Sequence, residues 1–169
     1  MTIKWIGAIL IISGCGGCGF LMASAYRTET RMLEALCRAL EYMSCELSYH
    51  MTPLPQLCRN TAQSLSGRIR NVFLALAEEL EAQGAPDAVS CMRAVQAAMT
   101  LPDSVQDILT QLGSSLGCFD LTGQIRGIES CLKRAQGKLR YLNDHRQNRI
   151  RSYQTLGLCA GAALAILFI

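Results

Sequence analysis

Cys15 and Cys18 have the Cys-x-x-Cys spacing of a thiol redox pair. Such a pair works when one thiol has a lowered pKa, which requires partial exposure and positive charge nearby. No lysine or arginine lies between Trp5 and Tyr26, on either side of the pair. A membrane-tethered thiol redox protein or sensor therefore lacks the surroundings that activate a thiolate, and it is the alternative rather than the preferred function.

The same stretch contains the sequence ISGC at residues 12–15, which is similar to the lipobox where bacterial lipoprotein signal peptides are cleaved and acylated. A signal peptide has a short apolar stretch, and the character of the chain changes after its cleavage site. Here the apolar run continues past Cys15, through Phe20 to Ala23. A membrane helix is therefore the preferred interpretation, and lipid attachment to Cys15 stays open.

Two uncharged segments bracket the chain. The first, residues 5–26, is about 22 residues or about 33 Å of helix, which is enough to cross a hydrocarbon core ~30 Å thick. The second, residues 152–169, is at the short end of the spanning range, and a helix lying in the membrane interface stays open for it. Small residues let membrane helices approach closely, and those predicted to pack are Gly14, Gly17, Gly157 and Gly161.

The distribution of Lys and Arg predicts the orientation in the membrane. Only Lys4 precedes the first segment, whereas Arg27 follows it and a basic block at residues 133–151 precedes the second. Basic residues stay on the cytoplasmic side, so residues 27–151 are expected in the cytoplasm and both termini outside. The block lacks the regular aromatic residues of a nucleic-acid surface, so contact with the lipid bilayer explains it better and no nucleic acid is expected.

Every stretch between the two segments has helical periodicity, and no run alternates with the period of two that indicates a strand. The predicted fold is all-α: an antiparallel helical bundle of about six helices at residues 27–151, flanked by an N-terminal (1–26) and a C-terminal (152–169) transmembrane helix. The first and last helices of the bundle carry apolar seams at heptad spacing and are expected to pair in opposite directions. These seams are Leu33, Leu36, Leu40, Met43 and Leu47, and Leu121, Ile125, Ile128, Leu132, Ala135, Leu139 and Leu142.

Capping residues predict the helix boundaries in this domain. Thr52 is expected to cap the second helix, with Pro53 at its first helical position, and Gly67 is expected to end that helix. Asp120 is the expected N-cap of the last helix. Because no proline follows Asp120, the last helix is expected to continue into the C-terminal segment.

Residues for metal or nucleotide chemistry are scarce. The two histidines, His50 and His145, are far apart, whereas a metal site needs several convergent ligands. Gly137-Lys138 lacks the upstream glycine of a phosphate-binding loop. The nine cysteines are odd in number and scattered, unlike a secreted disulfide framework. The sequence predicts no cofactor, no metal and no enzymatic activity.

Three stretches carry a resemblance to a known family. CELSYHMTPLPQLC (45–58) places a Glu and a Tyr before Thr-Pro-Leu, LGSSLGCFDLTGQ (112–124) places an Asp and a Gln after Leu-Gly, and YQTLGLCAGAALAILFI (153–169) ends the chain with a small-residue apolar run. In this order, and with an apolar N-terminal segment, they resemble stage III sporulation protein AB over essentially the whole chain. That family is similar to the cytoplasmic domain of the type II secretion system F protein.

The resemblance implies a function as well as a fold. It implies a membrane-anchored platform or scaffold in a secretion-like transenvelope complex needed for endospore formation, in the mother-cell membrane around the forespore. The implied partners are other sporulation-complex membrane proteins and a secretion-type ATPase on the cytoplasmic side, and a homo-oligomer stays open. The candidate partner-binding residues that match the family are Glu46, Tyr49, Thr52, Pro53, Leu54, Leu116, Gly117, Asp120 and Gln124. Gln56 is a further candidate because of its position at the first turn.

Overall fold

The structure, a computed structural model, is made of α-helices. It describes the backbone of residues 2–50, 52–82, 87–117 and 120–168, and the side chains of residue 24 and of residues 26–50, 52–82, 87–117 and 120–144. Six helices and no strand occur in these ranges, which confirms the all-α prediction. They are α1 (Thr2–His50), α2 (Leu54–Gln63), α3 (Gly67–Ala82), α4 (Ala88–Ala98), α5 (Asp103–Leu116) and α6 (Leu121–Phe168).

The chain divides into two compact units. One unit, Arg31–Arg140, is a helical bundle, as predicted. The other combines Met1–Thr30 with Tyr141–Ile169, and within it the Tyr26 hydroxyl donates a hydrogen bond to the Leu142 carbonyl oxygen at 3.0 Å.

Among the residues that the structure describes, no helix is both long and apolar enough to cross a bilayer. Most of residues 5–26 and all of residues 152–169 lie outside the described side chains, and so do the packing candidates Gly14, Gly17, Gly157 and Gly161. The two membrane segments therefore stay predictions.

The apolar seam of α1 lies in the core of the bundle. All five predicted residues are buried: Leu33, Leu36, Leu40, Met43 and Leu47. Small residues beside them are buried as well, namely Ala35, Cys37 and Ala39. With about 100° of rotation per residue, the buried side of α1 covers about 200° of its circumference, which is wider than a two-helix seam.

Helices α2 to α5 pack in chain order, α2 on α3, α3 on α4 and α4 on α5. Because only a few residues join α2 to α3 and α4 to α5, these packed neighbours must run in opposite directions.

The connection between α2 and α3 differs from the prediction. Gly67 does not end α2; α2 ends at Gln63, and Gly67 is the first residue of α3. Its φ of +74° is a conformation that favours glycine.

The predicted seam of α6 is only partly buried. Ile128, Ala135 and Leu142 are buried, and Cys131 is buried with them, although the heptad pattern did not include it. The other four predicted seam residues, Leu121, Ile125, Leu132 and Leu139, are half-buried. Within the bundle, α6 is connected to α1 by a hydrogen bond from Gln136 Nε2 to Glu41 Oε1 at 3.4 Å.

Glycine permits close helix approach at two places in the bundle. A Cβ added at Gly113 of α5 would lie 2.9 Å from the Met92 Cβ of α4. A Cβ added at Gly127 of α6 would overlap the Cβ and Oγ of Ser115 on α5. Gly137, also in α6, differs from both, because a Cβ added there meets nothing within 4 Å.

These surroundings predict opposite effects of one substitution at two positions of the same helix. Gly127→Ala is expected to lower the free energy of unfolding by about 1–3 kcal/mol, because the new methyl group overpacks the contact with Ser115. Gly137→Ala is expected to raise it by about 0.5–1 kcal/mol, because alanine is the better helix former and the space is open. Thermal unfolding of the full chain in detergent measures both, and equal shifts would contradict the packing of α6 on α5.

Candidate partner-binding turns

The first candidate turn joins α1 to α2. The Thr52 hydroxyl donates a hydrogen bond to Glu46 Oε1 at 3.1 Å, which ties the turn back to the preceding helix. The sequence predicted Thr52 as the cap of α2, and this prediction is wrong. Pro53 is the N-cap, with φ −54° and ψ 142°, and its carbonyl oxygen accepts from the Leu57 N–H at 2.9 Å. Leu54 is then the first helical residue instead of Pro53.

Polar and aromatic side chains are accessible around this turn. Tyr49 is 80% exposed. Burying the large ring of a tyrosine normally stabilises a fold, so this exposure is unusual. Gln56 is exposed, and its Nε2 donates to the side-chain oxygen of Asn60 at 2.9 Å. Leu54 is half-buried against the domain. The turn thus presents one large aromatic side chain among short polar ones.

The second candidate turn joins α5 to α6. Gly117 ends α5 in a right-handed helical conformation, and its N–H donates to the Gly113 carbonyl oxygen at 3.1 Å. Asp120 is the N-cap of α6, as predicted: its Oδ1 accepts from the Thr122 N–H at 3.3 Å, and its Oδ2 accepts from the Gly123 N–H at 3.0 Å. A carboxylate at this position also interacts favourably with the helix dipole.

Gln124 connects the start of α6 to the end of α5. Its Nε2 donates to the Leu116 carbonyl oxygen at 3.4 Å. The Leu116 side chain is only 3% exposed, so it contributes to the core and not to the surface. The structure places the ten candidates in two local groups, six at the first turn and four at the second, and each group is held by its own hydrogen bonds.

A further surface, on α6, was not identified from the sequence as a contact site. Lys133 and Arg140 are exposed two turns apart, with the open position of Gly137 between them. The seven-residue spacing of these two basic residues was visible in the sequence, and residues seven apart lie on one helix face. It was overlooked because the basic residues of this region were assigned together to the membrane surface.

Four of the five cysteines with described side chains are buried, and burial makes their thiols weakly acidic. Burial raises the pKa of Cys58 to about 12, and burial, followed by the nearby carboxylates of Glu41 and Glu34, raises the pKa of Cys37 to about 11. Burial also raises the pKa values of Cys91 and Cys131. Cys45 is the exposed exception. Cys15 and Cys18 lie outside the described side chains, so the redox alternative at that pair stays untested.

No group of three or more potential metal ligands occurs among the described residues. In that same part of the chain, every buried side-chain nitrogen and oxygen has a hydrogen-bond partner.

Thiol labelling tests this view of the cysteines. At pH 8 a group with a pKa of about 12 is ionised in about one molecule in ten thousand, and the thiolate is the reactive form. Cys45 is expected to react with iodoacetamide within minutes in the folded chain, whereas Cys58 is expected to react only after unfolding in urea. Mass spectrometry of the labelled peptides gives both rates. Fast labelling of Cys58 in the folded chain would show that the residues covering it move apart or that its thiol is activated.

Comparison with known proteins assigns the family. The family model described as stage III sporulation protein AB matches residues 4–169. Stage III sporulation protein AB of Bacillus subtilis (strain 168) is 25% identical in an alignment 169 residues long, which covers 98% of this chain and 98% of that one. A solved structure of stage III sporulation protein AB is similar with a TM-score of 0.62 at 21% identity, over 72% of this chain and 98% of that one, which supports the fold. Because the match runs over nearly the whole length, the chain belongs to the stage III sporulation protein AB family.

Proposed function

We propose that this protein is a membrane-anchored platform in a secretion-like transenvelope complex of endospore formation, where it docks a secretion-type ATPase. The observation that carries the proposal is the family match at residues 4–169, which includes both apolar ends as well as the helical domain. Its relative in Bacillus subtilis is named a stage III sporulation protein. The proposed location is the mother-cell membrane that surrounds the forespore, where the other membrane proteins of the complex would be its neighbours.

The uncharged ends support the anchoring. Residues 5–26 and 152–169 have the length and composition of membrane segments, and the basic residues lie between them. The helical domain would then be held at the membrane by both of its ends, with its turns accessible to a partner in the cytoplasm. This arrangement suits a protein that transmits position or force and does not itself carry out a reaction.

The first turn has the features of a docking surface. Exposed tyrosines are enriched among the residues that dominate binding energy, since they combine a large apolar ring with a polar tip. Tyr49 is such a residue, and the Thr52–Glu46 hydrogen bond fixes the backbone that follows it. A turn that is already ordered loses little entropy on binding. Tyr49 is therefore the proposed anchor for the ATPase, with Gln56 beside it.

A pair of substitutions tests the docking. Tyr49→Ala combined with Gln56→Ala is expected to weaken binding of the companion ATPase about 10- to 100-fold, the range for loss of a binding hot spot. Arg93→Ala on α4, also exposed, is the matched control and is expected to bind like the unmodified chain. Affinity is measured with full-length chains in detergent, with circular dichroism as the check on folding. ATPase binding that survives deletion of residues 27–151 would overturn the platform proposal.

Reporter fusions test the anchoring separately. Reporters inserted between Arg27 and Arg151 are expected to show a cytoplasmic location, because the basic residues that set orientation lie in this range. A tag after Ile169 is expected to be reachable from outside the cytoplasm. A tag found in the cytoplasm would leave one span and an interfacial C-terminal helix.

A further inference from the structure

The outward face of α6 carries a stripe of three basic residues, with one exposed carboxylate, Glu129, between the first two. Arg126, Lys133 and Arg140 are all exposed and follow one another at intervals of seven residues, so they lie on one side of the helix. Ser130, between the first two, is exposed as well. In the described part of the chain, Lys133 and Arg140 form no ion pair, and the salt bridge present there joins Arg59 to Glu81. This stripe is called the α6 outer face below.

Gly137 in the middle of the α6 outer face has no explanation within the bundle. Glycine inside a helix is less stable than alanine by roughly 1 kcal/mol. At Gly127 the close contact with Ser115 accounts for that cost, but nothing lies within 4 Å of a Cβ added at Gly137. Gly137 therefore leaves a shallow gap, open to the outside, between two long cationic side chains.

The outward face of α3 has the complementary features. Asn71 and Glu78 are exposed at the same seven-residue interval, and Leu74 and Ala75 are half-buried between them. Glu78 forms no ion pair among the described residues, while the neighbouring Glu81 is held by Arg59 at 2.7 Å. This surface is called the α3 outer face. It carries an unpaired carboxylate and an apolar side chain about one turn before it.

We propose that the α6 outer face binds the α3 outer face of a second copy of this chain. In an antiparallel alignment, Glu78 lies opposite Lys133 and Leu74 lies opposite the gap at Gly137. Asn71 then lies opposite Arg140, where its carbonyl oxygen can accept from the guanidinium. The match rests on charge, on the equal spacing of seven residues, and on the fit of one large side chain to one missing side chain.

Other partners fit the α6 outer face less well. With the two Gly137 positions opposite each other, antiparallel α6 outer faces would bring Lys133 near Arg140, where like charges repel. Anionic lipid headgroups would satisfy the cations but would leave the gap at Gly137 unfilled. A second copy meets both requirements, since it offers the exposed carboxylate of Glu78 and the half-buried side chain of Leu74.

The contact is heterologous, since each copy contributes a different face. It therefore leaves one α6 outer face and one α3 outer face free in every pair of copies, and it continues into a ring or a chain. This assembly does not depend on the proposed docking of an ATPase, which uses the turn between α1 and α2. Each proposal can fail while the other holds.

Two charge reversals test the contact by complementation. Lys133→Glu alone and Glu78→Lys alone are each expected to weaken self-association of the full chain about tenfold or more, because like charges then face each other. A mixture of the two variant chains is expected to associate as tightly as the unmodified chain, since both kinds of contact in the mixture again join opposite charges. The mass of the assemblies is measured by light scattering in a neutral detergent, where anionic lipid is absent.

Two further variants complete the experiment. Arg93→Glu, a charge reversal on the exposed side of α4, is expected to leave self-association unchanged. Gly137→Leu fills the gap and is expected to weaken association without lowering the melting temperature, because the space around it is open. Recovery in the mixture also shows that both variants are folded.

Three results would overturn the proposal. The unmodified chain could be monomeric at every concentration in neutral detergent, which would make a lipid or another protein the occupant of the α6 outer face. Both charge reversals could leave association unchanged, which would place the contact elsewhere. The mixture could fail to recover although each variant keeps the melting temperature of the unmodified chain, which would show that Lys133 and Glu78 do not meet.

Discussion

The broad buried side of α1 is the constraint on which the bundle depends. Leu33, Leu36 and Leu40 are completely buried, and the small residues Ala35 and Ala39 extend the buried side around the helix. Each large apolar side chain that leaves water contributes about 1.5–3 kcal/mol. One neighbouring helix covers only a narrow stripe, so a buried side this wide requires several neighbours. The apolar faces of the other helices in the bundle must therefore turn inward, which leaves polar faces and turns at the surface.

The sequence was a good guide to the type of fold and to the residues at the centre of the helices. Periodicity identified α1 and its buried leucines because large apolar residues recur at steps of three and four. It underestimated how far α1 is buried, because Ala35, Cys37 and Ala39 give a weak hydrophobic signal although small residues are common where helices approach closely. For α6 the same reasoning gave too regular a seam. Leu132 and Leu139 are only half-buried, since burial depends on which neighbouring helices pack at that point along α6 and not on spacing alone.

Turn chemistry was less predictable than helix cores, and the two candidate turns show why. Asp120 was identified correctly as a cap because its carboxylate accepts hydrogen bonds from the free N–H groups of the helix turn that follows it. The Thr52 hydroxyl could also accept from N–H groups, but it donates to Glu46 instead, six residues earlier. A pattern of neighbouring residues does not reveal this competing partner. Gly67 was expected at a helix end and instead begins α3, because glycine signals a left-handed conformation without saying which neighbouring helix it belongs to.

A contact made from a few exposed charges has limited strength in free solution, since an exposed ion pair contributes about 0–1 kcal/mol. Two copies anchored in one membrane would meet at a much higher effective concentration, so a weak contact can suffice there. Under those conditions the main task of Lys133 and Glu78 is to select which faces meet. Repulsion between two α6 outer faces removes one wrong arrangement, and discrimination of that kind can matter more than affinity. The inner side of α6 would hold the domain together while its outer side sets the direction in which copies add.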